Sequence, residues 1–501
     1  MQPTTLHLDR EYQIAPVDPR IFGGFLEHIG RAVYEGVYDP RSPHADEHGF
    51  RTDVLNSLRR LQFTAMRYPG GNFSSGYHWL DGVGPRAQRP TVQDLAWHSL
   101  EPNQFGTDEF MGLARLMQWT PMLTVNLGTG TPEEARHWVE YCNSPAGTRY
   151  ADLRAANGVN EPYGVKLWCL GNELDGRWQQ GHVPADHYAI RAQQAAKLMR
   201  DTDPTVELVV CGSSEIRLPT YLEWDRTVLE YVGDSADYIS LHRYVGNVSG
   251  DTADYLAVTN SIDRQIEVMA ALCRFVQARA RSPKRLSLAF DEWNVWYRLQ
   301  DAESYDGHGK SAQHLLEEEY DLQDALVVAG FLNSFIRHAD VVKIANLSQI
   351  VNVIAPLLTR GDALLHQSIY YPLLLYSQRR AGMALQPVVK GPGYDSPSYG
   401  HVNYVDASAI LGDGVLHVFL VNRSAVESAP VKVAPAGLSL QAVRSAEVVT
   451  GPSPAARNTF DQPDVIRSRD FGPISLDGSS ASLQLPPLSV VAVTFDTPDR
   501  P

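Results

Sequence analysis

The chain has 501 residues, 44% hydrophobic and 20% charged, a globular rather than disordered composition with enough length for more than one domain. A formal net charge of −15 argues against a nucleic-acid partner, whose phosphates it would repel, and no apolar run approaches the length of a membrane span. The N-terminus has no basic segment followed by an apolar one, and Cys142, Cys169, Cys211 and Cys273 lie far apart with no Cys-x-x-Cys pair, so buried thiols in a cytoplasmic protein are expected.

Residues 4–14 alternate briefly (Leu6, Leu8, Tyr12, Ile14) and read as one or two strands without a helical partner. Apolar strand candidates then recur at 21–26, 63–67, 122–127, 165–170, 208–211, 238–241, 286–290 and 341–347. Amphipathic stretches separate them. Thr131-Pro-Glu-Glu134 opens one helix with an N-cap threonine and a first-position proline, and 184–200, 260–281 and 318–338 carry further helical periodicity. Eight strands alternating with helices predict a (β/α)8 TIM barrel over 19–377. A doubly wound open sheet competes, but Gly23-Gly24 and the later glycines form no G-x-G-x-x-G fingerprint. From residue 378 helical periodicity disappears. Ile410-Leu-Gly-Asp-Gly-Val-Leu-His-Val-Phe-Leu-Val421 reads as a hairpin and 485–495 as a closing strand, which predicts a C-terminal antiparallel β-sandwich, jelly-roll-like, over 378–501. The N-terminal strand or strands, within residues 1–18, most simply join that sandwich, since the barrel already has its eight.

Two strand candidates end alike. Val165-Lys-Leu-Trp-Cys-Leu170 stops at Gly171 and is followed by Asn172-Glu173, and Leu286-Ser-Leu-Ala-Phe290 is followed by Asp291-Glu292. Paired carboxylates held opposite each other are the minimum equipment of a glycosidase. Other strand tips offer Glu27-His28, Arg67 to Asn72, Asn126, His242-Arg243-Tyr244, and Asn346 with Gln349. One such residue alone is ordinarily a helix cap. Polar groups at nearly every tip make a cup suited to sugar hydroxyls, each of which needs donors and acceptors. Trp97, Trp293 and Trp296 lie in loops near the tips, where a tryptophan either packs or walls a sugar ring. His44-Ala-Asp-Glu47-His48 matches the H-x-x-E-H zinc signature, but Pro40, Pro43 and Gly49 around it favour a loop, so no metal site is assigned.

The sequence resembles glycoside hydrolase family 51, the intracellular-type α-L-arabinofuranosidases. The likeness rests on Phe22-Gly-Gly-Phe-Leu-Glu27-His28, Met66-Arg-Tyr-Pro-Gly-Gly-Asn72-Phe, Trp79-Leu-Asp-Gly-Val-Gly-Pro85 and Asp94-Leu-Ala-Trp97. It continues in Trp168-Cys-Leu-Gly-Asn-Glu173, Ser240-Leu-His-Arg-Tyr244, Asp291-Glu-Trp-Asn-Val-Trp-Tyr297 and Gln349-Ile-Val-Asn-Val-Ile-Ala-Pro356. The resemblance implies Glu173 as general acid/base and Glu292 as nucleophile. It implies that Glu27, Arg67, Asn72, Asn172, Tyr244 and Gln349 bind the arabinofuranosyl ring, with Trp97 and Trp296 shaping the entry. It further implies retaining, exo-acting hydrolysis of arabinofuranosyl-containing oligosaccharides, no metal or organic cofactor, and a homo-oligomer, commonly a hexamer. Asn346, Val245 and Arg177 depart from the family pattern and bear on substrate preference. A related barrel glycosidase acting on β-xylosides or β-glucans shares the two glutamate tips and stays open as an alternative. A carbohydrate-binding protein would have no reason to hold both.

Overall fold

The computed structural model describes residues 1–299 and 309–498. Eight parallel strands, numbered here one to eight, close into a barrel: Gly23–Phe25, Ala65–Tyr68, Thr120–Thr124, Leu167–Leu170, Glu207–Val210, Tyr238–Val245, Ser287–Val295 and Val342–Ser348. The eighth returns to the first with Asn346 opposite Gly23, so the open-sheet alternative is excluded. All eight fall on the apolar runs. These runs are near-continuous because strands in a parallel barrel are buried on both faces.

Strands six and seven extend past their apolar runs because they pair through their polar tips, His242 opposite Glu292 and Tyr244 opposite Asn294. Strand seven carries one residue more than strand six between the Ser240/Ala289 and His242/Glu292 pairs. It also carries one more than strand eight between the Phe290/Ala345 and Trp293/Leu347 pairs. A bulge of this kind breaks the two-residue alternation, and the consecutive Asp291 and Glu292 both reach Arg67.

The expected helices are present as Pro132–Asn143, Ala185–Thr202, Thr259–Ala280 and Leu322–Arg337. Thr131 caps the first by accepting from the Glu134 N–H at 3.1 Å. The last begins later than its pattern suggests because Asp321 is its N-cap, while Glu318 accepts from the Arg298 and Leu299 N–H groups instead. The lower barrel interior is filled by Met122, Leu167, Cys169, Val209, Ala289 and Ile344. Beside this layer Asn346 takes the space that a side chain on Gly23 would need: a methyl there would lie 2.1 Å from Asn346 Oδ1. Gly23→Ala is therefore expected to cost about 1–3 kcal/mol by overpacking, read from the denaturant midpoint. An unchanged midpoint would show that Asn346 can move aside.

Two more sheets form a sandwich. A five-stranded sheet runs Val388–Lys390, Thr4–Asp9, Ala429–Ala436, Ser480–Leu485 and Ser475–Asp477. A seven-stranded sheet runs Gln13–Pro16, Met383–Leu385, Val405–Gly412, Val415–Asn422, Ser489–Asp496, Ala442–Val449 and Ser468–Asp470. The N-terminal strands thus enter both sheets. Thr4–Asp9 pairs parallel with Ala429–Ala436, an exception in an otherwise antiparallel pattern. The predicted hairpin turns at Asp413-Gly414, with Gly414 at φ +66°. The expected closing strand over 485–495 is corrected to two strands in different sheets, because Pro486 and Pro487 cannot continue a ladder and Ser489 starts the second. Val418, Leu420, Val491 and Val493 face the sandwich core, while Phe419, Val421, Val490 and Ala492 join the barrel's core. Phe419 stacks on Tyr376 of a further helix, Tyr370–Ser377, ring centres 4.0 Å apart.

Candidate active site

A cleft of about 800 Å³ opens where the barrel strands end, lined among others by Glu27, Asn72, Trp97, Glu173, Tyr244, Glu292, Trp296 and Gln349. Glu292, from the bulge in strand seven, is buried and held from two sides. Arg67 Nη1 donates to its Oε1 at 2.6 Å and the Tyr244 hydroxyl to its Oε2 at 2.8 Å. Arg67 extends the network through Nη2 to Asn172 Oδ1 at 2.8 Å, and Asn172 Nδ2 reaches Asn72 Oδ1 at 3.3 Å. Tyr244 also bonds Ser348 and meets Trp296 edge to face, centroids 5.4 Å apart. Burial and the nearby Glu173 push the Glu292 carboxyl up, against the pull of His242 and Arg67.

Glu173 follows strand four at φ +47°, in the left-handed region that a non-glycine residue rarely enters. Two donors fix its side chain there: Trp178 Nε1 to Oε2 at 2.6 Å and His242 Nδ1 to Oε1 at 2.7 Å. His242 Nδ1 also lies 3.5 Å from Glu292, and its Nε2 faces Asp291 at 3.5 Å, an ion-pair distance rather than a hydrogen bond. Burial alone would lower the His242 pKa; Glu292, Asp291 and Glu173 reverse this and raise it well above the ordinary value. The imidazolium is thus the cation between the two glutamates. One oxygen of each glutamate and a ring nitrogen of His242 lie within 4.8 Å of one another, the one such grouping of possible metal ligands among the described residues. With the ring protonated it donates rather than ligates, so the cluster reads as an acid–base assembly.

Glu27 lies across the cleft floor. Its oxygens accept from the Phe73 N–H, Trp97 Nε1 and Gln349 Nε2 at 3.0–3.1 Å, and its own N–H donates to Gln349 Oε1 at 2.9 Å. Gly71 separates it from the second glutamate: a methyl there would lie 2.9 Å from Glu27 Oε2 and 3.1 Å from Glu292 Oε1. Burial first, and Glu292 second, push the Glu27 carboxyl up to about 8. Folding then takes up a proton between the ordinary value of 4.5 and about 8, so this group's contribution to stability falls as pH rises through that window. Glu27→Gln should lack that slope. From about pH 5.5 to 7.5 the unmodified protein should lose up to about 2.7 kcal/mol more than the variant, measured by denaturant unfolding at both pH values. Equal losses would sink the assignment.

All ten residues expected from the sequence converge here. Some other residues singled out from the sequence do not. Asn126 caps its own loop by accepting from the Gly128, Thr129 and Gly130 N–H groups. Asn346 is buried inside the barrel and Arg177 is exposed, whereas Val245, a buried strand residue, lines the cleft wall. The segment 44–48 forms no helix, and His44 Nε2 pairs with the Asp362 carbonyl. The sequence reading gave His242 and Asp291 no role beyond that of strand-tip polar groups and missed Trp178 altogether. The first two stood in the strand-tip motifs, but a regular alternation gave no reason to turn Asp291 inward. Trp178 had no strand-tip signal.

Residues 57–256 match the alpha-L-arabinofuranosidase 1 domain and residues 291–489 the alpha-L-arabinofuranosidase C-terminal domain. An intracellular exo-alpha-(1->5)-L-arabinofuranosidase of Bacillus subtilis is 45% identical over 85% of each chain. An exo-alpha-(1->6)-L-arabinofuranosidase of Bifidobacterium longum is 40% identical over 98% of this chain and 97% of that one. A solved family 51 α-L-arabinofuranosidase from Bifidobacterium longum superposes with a TM-score of 0.95 at 34% identity, covering 99% of this chain and 100% of the other. The paired glutamates at the barrel mouth and these matches together place the chain in glycoside hydrolase family 51, the α-L-arabinofuranosidases.

Proposed function

We propose that the protein is a retaining, exo-acting α-L-arabinofuranosidase that removes terminal arabinofuranosyl residues from oligosaccharides by double displacement. The observation that carries the retaining mechanism is the approach of Glu173 and Glu292, with an oxygen of each inside a cluster spanning 4.8 Å. Retaining glycosidases hold their carboxyls about 5–5.5 Å apart, whereas inverting ones leave room for a water at about 6.5–9.5 Å. In the first step a Glu292 oxygen forms a bond to the anomeric carbon as the glycosidic bond breaks, and the proton shared by His242 and Glu173 passes through Glu173 to the leaving oxygen. In the second, Glu173 takes a proton from water, whose oxygen displaces Glu292 and regenerates both groups. Esterification removes the anion that most raises the His242 pKa. Asn172, Asn72, Glu27 and Gln349 would receive the ring hydroxyls, with Arg67 and Tyr244 aiming Glu292 and Trp97 and Trp296 walling the entry.

A cytoplasmic setting is part of this reading. It is supported by the relatives named intracellular and by four buried free cysteines, and no helix among the described residues is long and apolar enough to cross a membrane.

The test is proton NMR of the first product from 4-nitrophenyl α-L-arabinofuranoside. α-Arabinofuranose before mutarotation is expected, and the β anomer would overturn the retaining mechanism. Glu173→Ala should slow glycosyl-enzyme hydrolysis, with added azide restoring turnover as the α-configured azide. Azide without effect would count against Glu173.

A further inference from the structure

The same cleft continues outward from Glu173 and Trp178 into a lobe between the barrel mouth and a hairpin of Gly393–Ser396 and Gly400–Asn403. Its wall includes Arg217, Arg243, Tyr297 and Tyr399. Arg243 is half-buried, and it is unusual among the buried and half-buried arginines of this acidic chain. Arg31 pairs with Glu317, Arg67 with Asp291 and Glu292, Arg89 with Glu109, and Arg337 with Asp263 and Asp406. Arg154, buried without a carboxylate, spends its guanidinium on the carbonyls of Tyr141, Ser144, Val159 and Asn160.

Arg243 has neither. Its Nη2 donates to Ser261 Oγ at 2.7 Å, its Nε is buried without a partner, and no carboxylate among the described residues lies within ion-pair distance of it. The acids that share the lobe make their close contacts elsewhere, and only Glu215 bears on Arg243, from beyond ion-pair distance. Glu215 pairs with Arg217, and Asp254 accepts from Ser396 Oγ and from the Ser398 N–H and Oγ. Tyr221 and Tyr399 lie close enough for the Arg243 charge to bear on both hydroxyls. A guanidinium withdrawn from water without an anion is costly unless a ligand supplies one.

We propose that Arg243 is the recognition element of an outer subsite for a carboxylate carried on the leaving-group side of the substrate, as in a uronic acid unit. This rests on the arabinofuranosidase reading above. The terminal ring fills the inner end at Glu27 and Gln349, so whatever lies beyond the acid Glu173 is leaving group. Arg243 presents a planar fork of donors that matches a carboxylate, and Tyr399 offers a ring face or hydroxyl beside it.

The experiment compares two arabinofuranosyl disaccharides of one linkage, with D-galacturonic acid or D-galactose as the leaving sugar. The expected kcat/KM ratio is about tenfold in favour of the acid at low salt, falling several-fold between about 0.05 and 0.5 M NaCl. In Arg243→Gln the ratio should approach one, and Arg243→Lys should keep part of it. A ratio near one in the unmodified enzyme, a ratio indifferent to salt, or a preference that survives in Arg243→Gln would each overturn the subsite. Because the readout is a ratio, a variant that folds poorly leaves the first two criteria intact. 4-Nitrophenyl α-L-arabinofuranoside is assayed alongside. No turnover of it would bring down the arabinofuranosidase reading and this inference together; turnover without preference removes this inference alone.

Discussion

Replacing Glu292 by alanine is expected to lower kcat/KM for 4-nitrophenyl α-L-arabinofuranoside by about 10⁴-fold or more, equivalent to ~5.4 kcal/mol of transition-state stabilisation. The size follows from what the double-displacement proposal assigns to this carboxylate, the bond to the anomeric carbon, with the group held by Arg67 at 2.6 Å and Tyr244 at 2.8 Å. The fold should persist, because Arg67 keeps Asp291 as a buried counter-charge and burial already works against the Glu292 carboxylate. Azide offers a sharper check than the rate. In Glu292→Ala it should enter the vacated space, attack the substrate directly and give the β-configured glycosyl azide. An α azide, or a loss of less than about a hundredfold, would mean that another group is the nucleophile.

Arg67→Met is the second large effect, and it is foremost one of stability. Arg67 is fully buried, and its guanidinium lies 2.6 Å from Glu292, 2.8 Å from Asn172 and 3.3 Å from Asp291, over the ring of Phe25. Removing one partner of a buried ion pair leaves the other charge uncompensated, which costs about 3–5 kcal/mol. The pH dependence identifies the cause. Burial would raise the Asp291 pKa, but Arg67, His242 and Ser240 together lower it. A depressed carboxyl stabilises above its unfolded value, and that contribution is lost as pH falls through the folded one. Without Arg67 the contribution shrinks, so the variant's deficit should narrow as pH falls below the ordinary carboxyl value of 3.8, as urea midpoints at about pH 6 and about pH 3 would show. A deficit that does not change with pH would point to lost packing on Phe25 instead. Arg67→Lys should not rescue activity, since one ammonium cannot serve Glu292, Asn172 and Asp291 as the fork does.

The barrel was legible because buried parallel strands leave near-continuous apolar runs, and each run ends where the chain meets the cleft. The two glutamates and most of the polar groups that gather around them were legible for the same reason, as residues set directly after those runs. What escaped is whatever depends on contacts across the fold. His242 and Asp291 gain their importance from lying between Arg67, Glu173 and Glu292, which strands two, four and seven bring together. Trp178 reaches Glu173 only because the backbone at Glu173 turns left-handed. The closing strand was misplaced because an apolar run was read through Pro486-Pro487, although a proline pair ends a ladder whatever its neighbours.

The extra residue in strand seven has a consequence for how this segment tolerates change in length. Since that strand is hydrogen-bonded on both sides, its phase is set by two neighbours at once. A single-residue deletion between Leu288 and Asp291 would let regular pairing resume and send the Glu292 carboxyl outward, into the helix layer. The protein could then keep its barrel and its composition and still lose its chemistry. In comparing homologues, a gap at this point is accordingly a stronger sign of lost activity than many substitutions elsewhere in the barrel.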